Sequence, residues 1–220
     1  HGSLGDLIQA NGAMKDIKES FPNDKVLLLT TPPYVNFMSN CPYLNGILID
    51  KRLPRWNIFY LLRLKKMLSR FAFEKVFDLQ NSSRTNFYKK ILSPKSDKIY
   101  WSSSLTTLPS DKNKEEFDKI SVLERFNYQL KESGLSTSNT LKPDFNWAST
   151  DISKIKNFYK FNKYILLFPF CSPHLTIKKW PHYNKLIELI LDRYGDQYKI
   201  LTAPGPSEIN DAKDINALAL

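Results

Sequence analysis

Six short apolar segments punctuate the chain, and stretches of helical periodicity fill most of the space between them. The segments are Lys25–Thr30, Gly46–Asp50, Lys75–Leu79, Lys98–Trp101, Tyr164–Phe168 and Tyr198–Thr202. Near-continuous apolar runs of this length fit strands covered on both faces, as parallel sheets require. The stretches with helical spacing are Asp6–Ser20, Trp56–Phe71, Thr85–Leu92, Lys114–Ser133, Asp151–Phe161 and His182–Tyr194. Strand alternating with helix predicts an α/β chain wound through right-handed crossovers. Between Ser133 and Thr150 the periodicity lapses and Gly, Ser, Thr, Asn and Pro cluster. That stretch reads as a linker. It predicts two Rossmann-like domains, 1–147 and 148–220, the second an incomplete one.

Composition narrows the partners. The 220 residues carry a formal net charge of +10 with 25% charged residues. Such an excess draws a protein to an anionic partner: nucleic acid, an acidic membrane face or a phosphorylated substrate. The basic residues are spread along the chain and show no RNP, helix-turn-helix or zinc pattern, so nucleic acid is the weakest of the three. The two cysteines, Cys41 and Cys171, lie far apart without metal-ligand or CxxC spacing. This suits a reducing cytosol better than a disulfide framework. The histidines His1, His174 and His182 make no metal set. No apolar run is long enough to cross a bilayer. The start at His1-Gly2-Ser3 and the apolar stretch at the end read as a chain incomplete at both ends.

Three loops carry residue types suited to phosphate and sugar chemistry. Gly2-Ser3-Leu4-Gly5-Asp6 opens a helical pattern. Glycines there admit a close ligand, and a helix N-terminus favours anions. Asp6 fits two roles, a cap on the free N–H groups of the helix or a base. Pro169-Phe170-Cys171-Ser172-Pro173-His174, followed by Lys178-Lys179-Trp180-Pro181, leaves a strand end, where open α/β sheets bind ligands. Its lysines either neutralise a diphosphate or are merely solvated, and Pro181 suits a first helical turn. Thr202-Ala203-Pro204-Gly205-Pro206-Ser207-Glu208 again joins a strand end to a helical start. Ser207 suits a cap there, and Glu208 suits either a ribose hydroxyl or the helix dipole.

A fourth stretch, Lys51 to Lys75, is basic and amphipathic. In helical register Leu61, Leu64, Leu68 and Phe71 share one face, while Arg63, Lys66 and Arg70 lie on another. The basic face is either solvated or meets phosphates of a lipid-linked saccharide or an anionic leaflet. Asp78-Leu79-Gln80, with Ser82, Ser83 and Arg84 behind it, either lines a groove or caps the next helix.

In order and spacing, GSLGD, KVLLLTTPPYVNFMSNCPYLNGILID, FDLQNSSR, KKWPHYNKLIELI and ILTAPGPSE resemble glycosyltransferase family 9, the ADP-heptose:lipopolysaccharide heptosyltransferases. The likeness runs over most of the chain and is weakest from about Trp101 to Phe161. It implies a GT-B fold, with an acceptor domain followed by a nucleotide-sugar domain. It also implies metal-independent, inverting transfer of a heptose from ADP-heptose to a lipopolysaccharide core or lipid A acceptor. No cofactor is implied. The location implied is the cytoplasm, peripheral to the inner membrane face. By this resemblance Asp6 matches the general base, and Lys178, with Lys179 as a register alternative, offsets charge on the departing diphosphate across an interdomain cleft. Glu208 matches the residue holding the ribose, with Ser172 and Gly205 beside the donor. Ser3, Gln80, Arg84, Arg63 and Lys66 fall to the acceptor side. The sequence departs from the family in Phe170, which stands where members have Gly in the phosphate loop. The strand before GSLGD and the later Asp…His motif of the donor domain are also expected but not among these residues. A different sugar or acceptor, a catalytically inactive binding protein and a nucleic-acid-binding protein are the competing readings.

Overall fold

The computed structural model describes residues 3–92, 99–108, 113–171 and 173–220. Within them the elements alternate as the apolar periodicity predicts. Helix α1 (Leu4–Ser20) leads to β1 (Leu27–Thr30), α2 (Val35–Met38), β2 (Gly46–Ile49) and α3 (Ile58–Leu68). Then come β3 (Lys75–Phe77), α4 (Ser83–Leu92), β4 (Tyr100–Ser102), α5 (Ser104–Thr107), α6 (Lys114–Phe117) and α7 (Val122–Glu132). The remaining elements are α8 (Ser153–Tyr159), β5 (Tyr164–Leu167), α9 (Tyr183–Tyr194), β6 (Lys199–Thr202) and β7 (Leu218–Ala219). Contacts divide the chain into two compact units, His1–Ser149 and Thr150–Leu220.

All described strand pairs are parallel. In the first unit β1 pairs with β2 and β3 with β4, as two separate two-stranded sheets. Residues of β1 and β3 line a cavity of about 650 Å³ that also takes in Met14, Ile17 and Phe21 from α1 and its end. The larger core joins Leu7, Ala10, Ala13, Met14 and Ile17 of α1 to Met38, Leu79, Phe126 and Leu130, which explains the helical spacing of the apolar residues in α1 and α7. A second cluster holds Tyr60, Leu64, Leu68 and Tyr88. In the second unit β5, β6 and β7 form one sheet in sequential order, around buried Ile187, Ile200 and Leu201.

Three expectations need correction. The single helix expected over Lys114–Ser133 is two helices, because Ser121 starts a new one with a capping box: its hydroxyl accepts from the Glu124 N–H while Glu124 reaches back. The helix expected from His182 begins at Tyr183, so Pro181 precedes it rather than occupying its first turn. Finally, residues 134–149 do not hang free as a linker. Asp16, buried in α1, accepts hydrogen bonds from the Asn139 N–H (2.9 Å), the Thr140 N–H (2.7 Å) and the Thr140 hydroxyl (2.6 Å). Phe145 and Trp147 stack beside Phe37, at 6.2 and 5.4 Å between ring centroids. The segment is folded onto the first unit.

Candidate functional site

The loop opening α1 settles one of the two roles open to Asp6. Ser3 is the N-cap, with extended backbone and its hydroxyl accepting the Asp6 N–H at 3.2 Å. The cap is therefore Ser3 and not Asp6. The Asp6 carboxylate, half-buried in the first helical turn, has no hydrogen-bond or ion-pair partner among the described residues. A carboxylate held at a helix N-terminus without a partner is available to accept a proton from something outside the fold. In the same unit β1, β2 and β3 run parallel to the strands they pair with and end at Thr30, Ile49 and Phe77.

At those strand ends the polar residues are tightly organised. Asp50, buried just past β2, accepts from the Tyr88 hydroxyl at 2.7 Å, from the Arg52 N–H at 2.7 Å and from the Tyr60 hydroxyl. Burial, and after it the hydrogen bond to Asp50, pushes the Tyr60 phenol far above its ordinary range, so it stays a donor. Arg84 donates to the Tyr88 hydroxyl (3.1 Å) and to the Leu53 carbonyl (3.0 Å), tying α4 to the loop before α3. Gln80 faces Arg52, whose guanidinium reaches its carbonyl at 3.0 Å once the amide is turned to suit. Gln80 and Arg84 are both among the residues that line the cavity, as are Asp50, Arg52 and Asp78. Arg63 and Lys66 do not join them; both are exposed on α3.

Sequence reasoning passed over Asn81 and Gln129. Asn81 has left-handed backbone (φ 51°), and its side chain bridges the Ser104 N–H (2.6 Å) to the Gln129 amide (3.1 Å). Gln129, fully buried, donates to the Ser102 hydroxyl at 3.1 Å. The signal available was the Asp78…Asn81 spacing of a turn, in which Asp78 accepts the N–H groups of Gln80 and Asn81 at 3.1 and 3.0 Å. Burial raises the Asp78 carboxyl, against the pull of the Thr85 hydroxyl and those two N–H groups. A raised carboxyl favours the folded state below the ordinary carboxylate range, and that advantage is lost as pH rises through the raised value. Asp78→Asn is therefore expected to gain in melting temperature relative to the parent as pH is raised from 4 toward 8, in about the direction set by linkage. A calorimetric pH series in which the difference stays flat would refute this.

In the second unit, the two lysines before Trp180 separate. Lys179 pairs with Asp211 at 3.3 Å, whereas exposed Lys178 has no partner among the described residues. Trp180 packs edge-on against Tyr183 and His182, at 5.2 and 5.6 Å, which anchors the loop to the start of α9. The Tyr183 hydroxyl adds a bond to the Phe168 carbonyl at 3.1 Å. Ser172 lies outside the described residues. After β6, the expected helical start capped by Ser207 is instead a turn: the Glu208 carboxylate accepts the Gly205 N–H at 2.7 Å, and the Glu208 N–H returns to the Gly205 carbonyl at 2.8 Å. One Glu208 oxygen is thus committed to shaping the loop that holds it. The described residues contain no group of three or more His, Cys, Asp or Glu able to hold a metal ion.

No protein-family model and no curated protein matches the chain. Solved structures do. A glycosyl transferase family 9 protein from Veillonella parvula DSM 2008 aligns with a TM-score of 0.72 at 13% identity, over 99% of this chain and 66% of that one. The fold is that of the family 9 glycosyltransferases. E. coli ADP-heptose lps heptosyltransferase II gives a TM-score of 0.62 at 13% identity, over 97% of this chain and 65% of that one. E. coli heptosyltransferase WaaC with ADP gives 0.63 at 14%, over 100% and 71%. The chain spans about two thirds of the length of these structures. No helix among the described residues is long and apolar enough to cross a membrane.

Proposed function

We propose that the protein is a GT-B-type, inverting glycosyltransferase of family 9 that moves a heptose from ADP-heptose to a lipopolysaccharide core acceptor. The fold likeness over 99% of the chain is the observation that carries this reading. In it, the first unit receives the acceptor and the second the nucleotide sugar. Asp6 takes the proton of the attacking acceptor hydroxyl. The acceptor oxygen then bonds to the anomeric carbon from the face opposite the diphosphate, and the bond from that carbon to the β-phosphate oxygen breaks with its electrons passing to ADP. Lys178 offsets the charge gathering on the diphosphate. Gln80, held by Arg52, and Arg84 present polar groups on the acceptor side, while Gly205 and Glu208 form the turn that meets the ribose. Phosphate charge is met by lysine and helix N-termini, so the chemistry proposed requires no metal. The protein works at the cytoplasmic face of the inner membrane as a peripheral enzyme.

Two features support this reading over an inactive relative: Ser3 rather than the Asp6 carboxylate caps α1, and Lys178 has no ion pair among the described residues. The test is transfer from ADP-heptose, against other nucleotide sugars, to a lipopolysaccharide core acceptor. Lys178→Ala is expected to lower kcat by roughly 100-fold or more, as loss of a cation from a leaving-group site does. Lys179→Ala, which breaks an exposed pair with Asp211, should change it far less. The reverse order of effects would move the charge-bearing role to Lys179, and no transfer from any nucleotide sugar would end the enzymatic reading.

A further inference from the structure

The outward face of α3 carries Arg63 and Lys66, as helical register predicts, and apolar residues beside them. Tyr60, Leu64 and Leu68 turn inward, and the residues left outside begin with an apolar group: Trp56, Ile58, Phe59 and Leu62 are 80, 67, 80 and 57% exposed. Ile58, Phe59 and Leu62 stand at i, i+1 and i+4, so they share one side of the helix. Lys65 and Lys66 follow Leu62 by three and four residues and continue the same side, with Arg63 at its flank. An apolar patch containing an indole and a phenyl ring, facing water beside a row of cations, marks a contact surface rather than a solvated helix.

Charge selects the occupant. From Lys51 to Phe73 the chain carries Lys51, Arg52, Arg55, Arg63, Lys65, Lys66 and Arg70 and no Asp or Glu. Arg63, Lys65 and Lys66 have no ion-pair partner among the described residues. A second copy meeting through the same face would set these cations against each other. A bilayer of anionic lipid satisfies both halves at once: apolar side chains enter the boundary between headgroups and acyl chains, and the cations meet lipid phosphates. We propose that α3 and the Trp56 turn before it dock the protein flat on an anionic bilayer, with Trp56, Ile58, Phe59 and Leu62 inserted. This deepens the peripheral-membrane part of the reading above and does not depend on catalysis.

The experiment uses the protein with vesicles of phosphatidylethanolamine and phosphatidylglycerol, and with phosphatidylcholine vesicles as the neutral control. Binding to the anionic vesicles is expected, and the double variant Trp56→Ser, Phe59→Ser should lose roughly tenfold or more in affinity with its circular dichroism unchanged. Acyl chains brominated near the headgroup should quench part of the tryptophan emission, and that part should vanish in Trp56→Phe, a variant that keeps an apolar ring. Arg63→Ser, Lys65→Ser, Lys66→Ser should weaken binding and flatten its dependence on salt. Undiminished binding by the Trp56/Phe59 variant overturns the proposal. So does Trp56 emission already blue-shifted and unresponsive to vesicles, the result if another protein surface covers the patch. Transfer to a delipidated, soluble core saccharide should persist in the double variant; its loss would assign these residues to the acceptor site and overturn docking. Vesicle binding through Trp56 by a protein that transfers no sugar would support docking and count only against the transferase reading.

Discussion

Asp6→Asn should lower sugar transfer by roughly 100- to 10,000-fold, the range for losing a general base, while donor affinity stays unchanged. The substitution is nearly isosteric, and its local surroundings make it a clean one. Ser3, not Asp6, caps α1, and the bond to the Ser3 hydroxyl comes from the Asp6 main chain, which the variant keeps. The side chain itself has no partner among the described residues, so its loss orphans nothing within the fold. Stability should shift only by the helix-dipole contribution of a first-turn carboxylate, about 0.3–1 kcal/mol. The measurement is ADP release in the presence and absence of acceptor, with ADP binding followed by calorimetry. Retained transfer in Asp6→Asn would remove the base from the mechanism. Loss of ADP binding along with transfer would instead mean that the residue supports the donor site.

What the sequence made legible was whatever rests on short-range periodicity. The strands of both units were readable because parallel strands are rich in apolar residues, as Leu27–Leu29 and Tyr164–Leu167 are, although the structure leaves these side chains mostly half-buried rather than covered on both faces. The caps were readable where a motif exists. Ser121-x-x-Glu124 is a capping signature inside the stretch that overall helical spacing had joined into one helix, and it marks the break. On α3, periodicity placed Leu64 and Leu68 on a core face, where the structure has them, but gave no means of knowing that Tyr60 would join them and that Phe59 and Leu62 would be left in water. Arg84 was assigned to the acceptor side by its place behind Asp78-Leu79-Gln80 at a strand end and by the family resemblance. Its bonds to Tyr88 and Leu53 show a second task that no local pattern encodes. The separation of Lys178 from Lys179 depends on Asp211, more than thirty residues away, and was equally invisible.

The folding of residues 134–149 onto α1 leads to the largest expected loss of stability. Asp16 is buried, and its two oxygens take the Asn139 N–H, the Asn139 side-chain amide (2.7 Å), the Thr140 N–H and the Thr140 hydroxyl. Asp16→Ala leaves the buried Thr140 N–H and hydroxyl without an acceptor and takes one from the half-buried Asn139 groups, which should cost about 3–5 kcal/mol. Gly12, one turn earlier, lets the two backbones approach: a Cβ there would lie 2.3 Å from the Asn139 carbonyl oxygen and 2.9 Å from its carbon. Helix propensity alone favours Ala over Gly in a helix interior by about 1 kcal/mol. Here main chain meets main chain, no flexible side chain can yield, and the clash should outweigh that preference by several-fold, on the scale of overpacking. Both variants break one contact, so Gly12→Ala with Asp16→Ala should cost less than the sum of the two. Urea denaturation gives the energies, and limited proteolysis should cut first within 134–149 in each variant. Because α1 also carries Asp6 at its other end, a protein with this clasp released should lose activity before it loses its strands. A Gly12→Ala protein that melts higher than the parent would mean that propensity governs this position and that the linker is not held against the helix in solution.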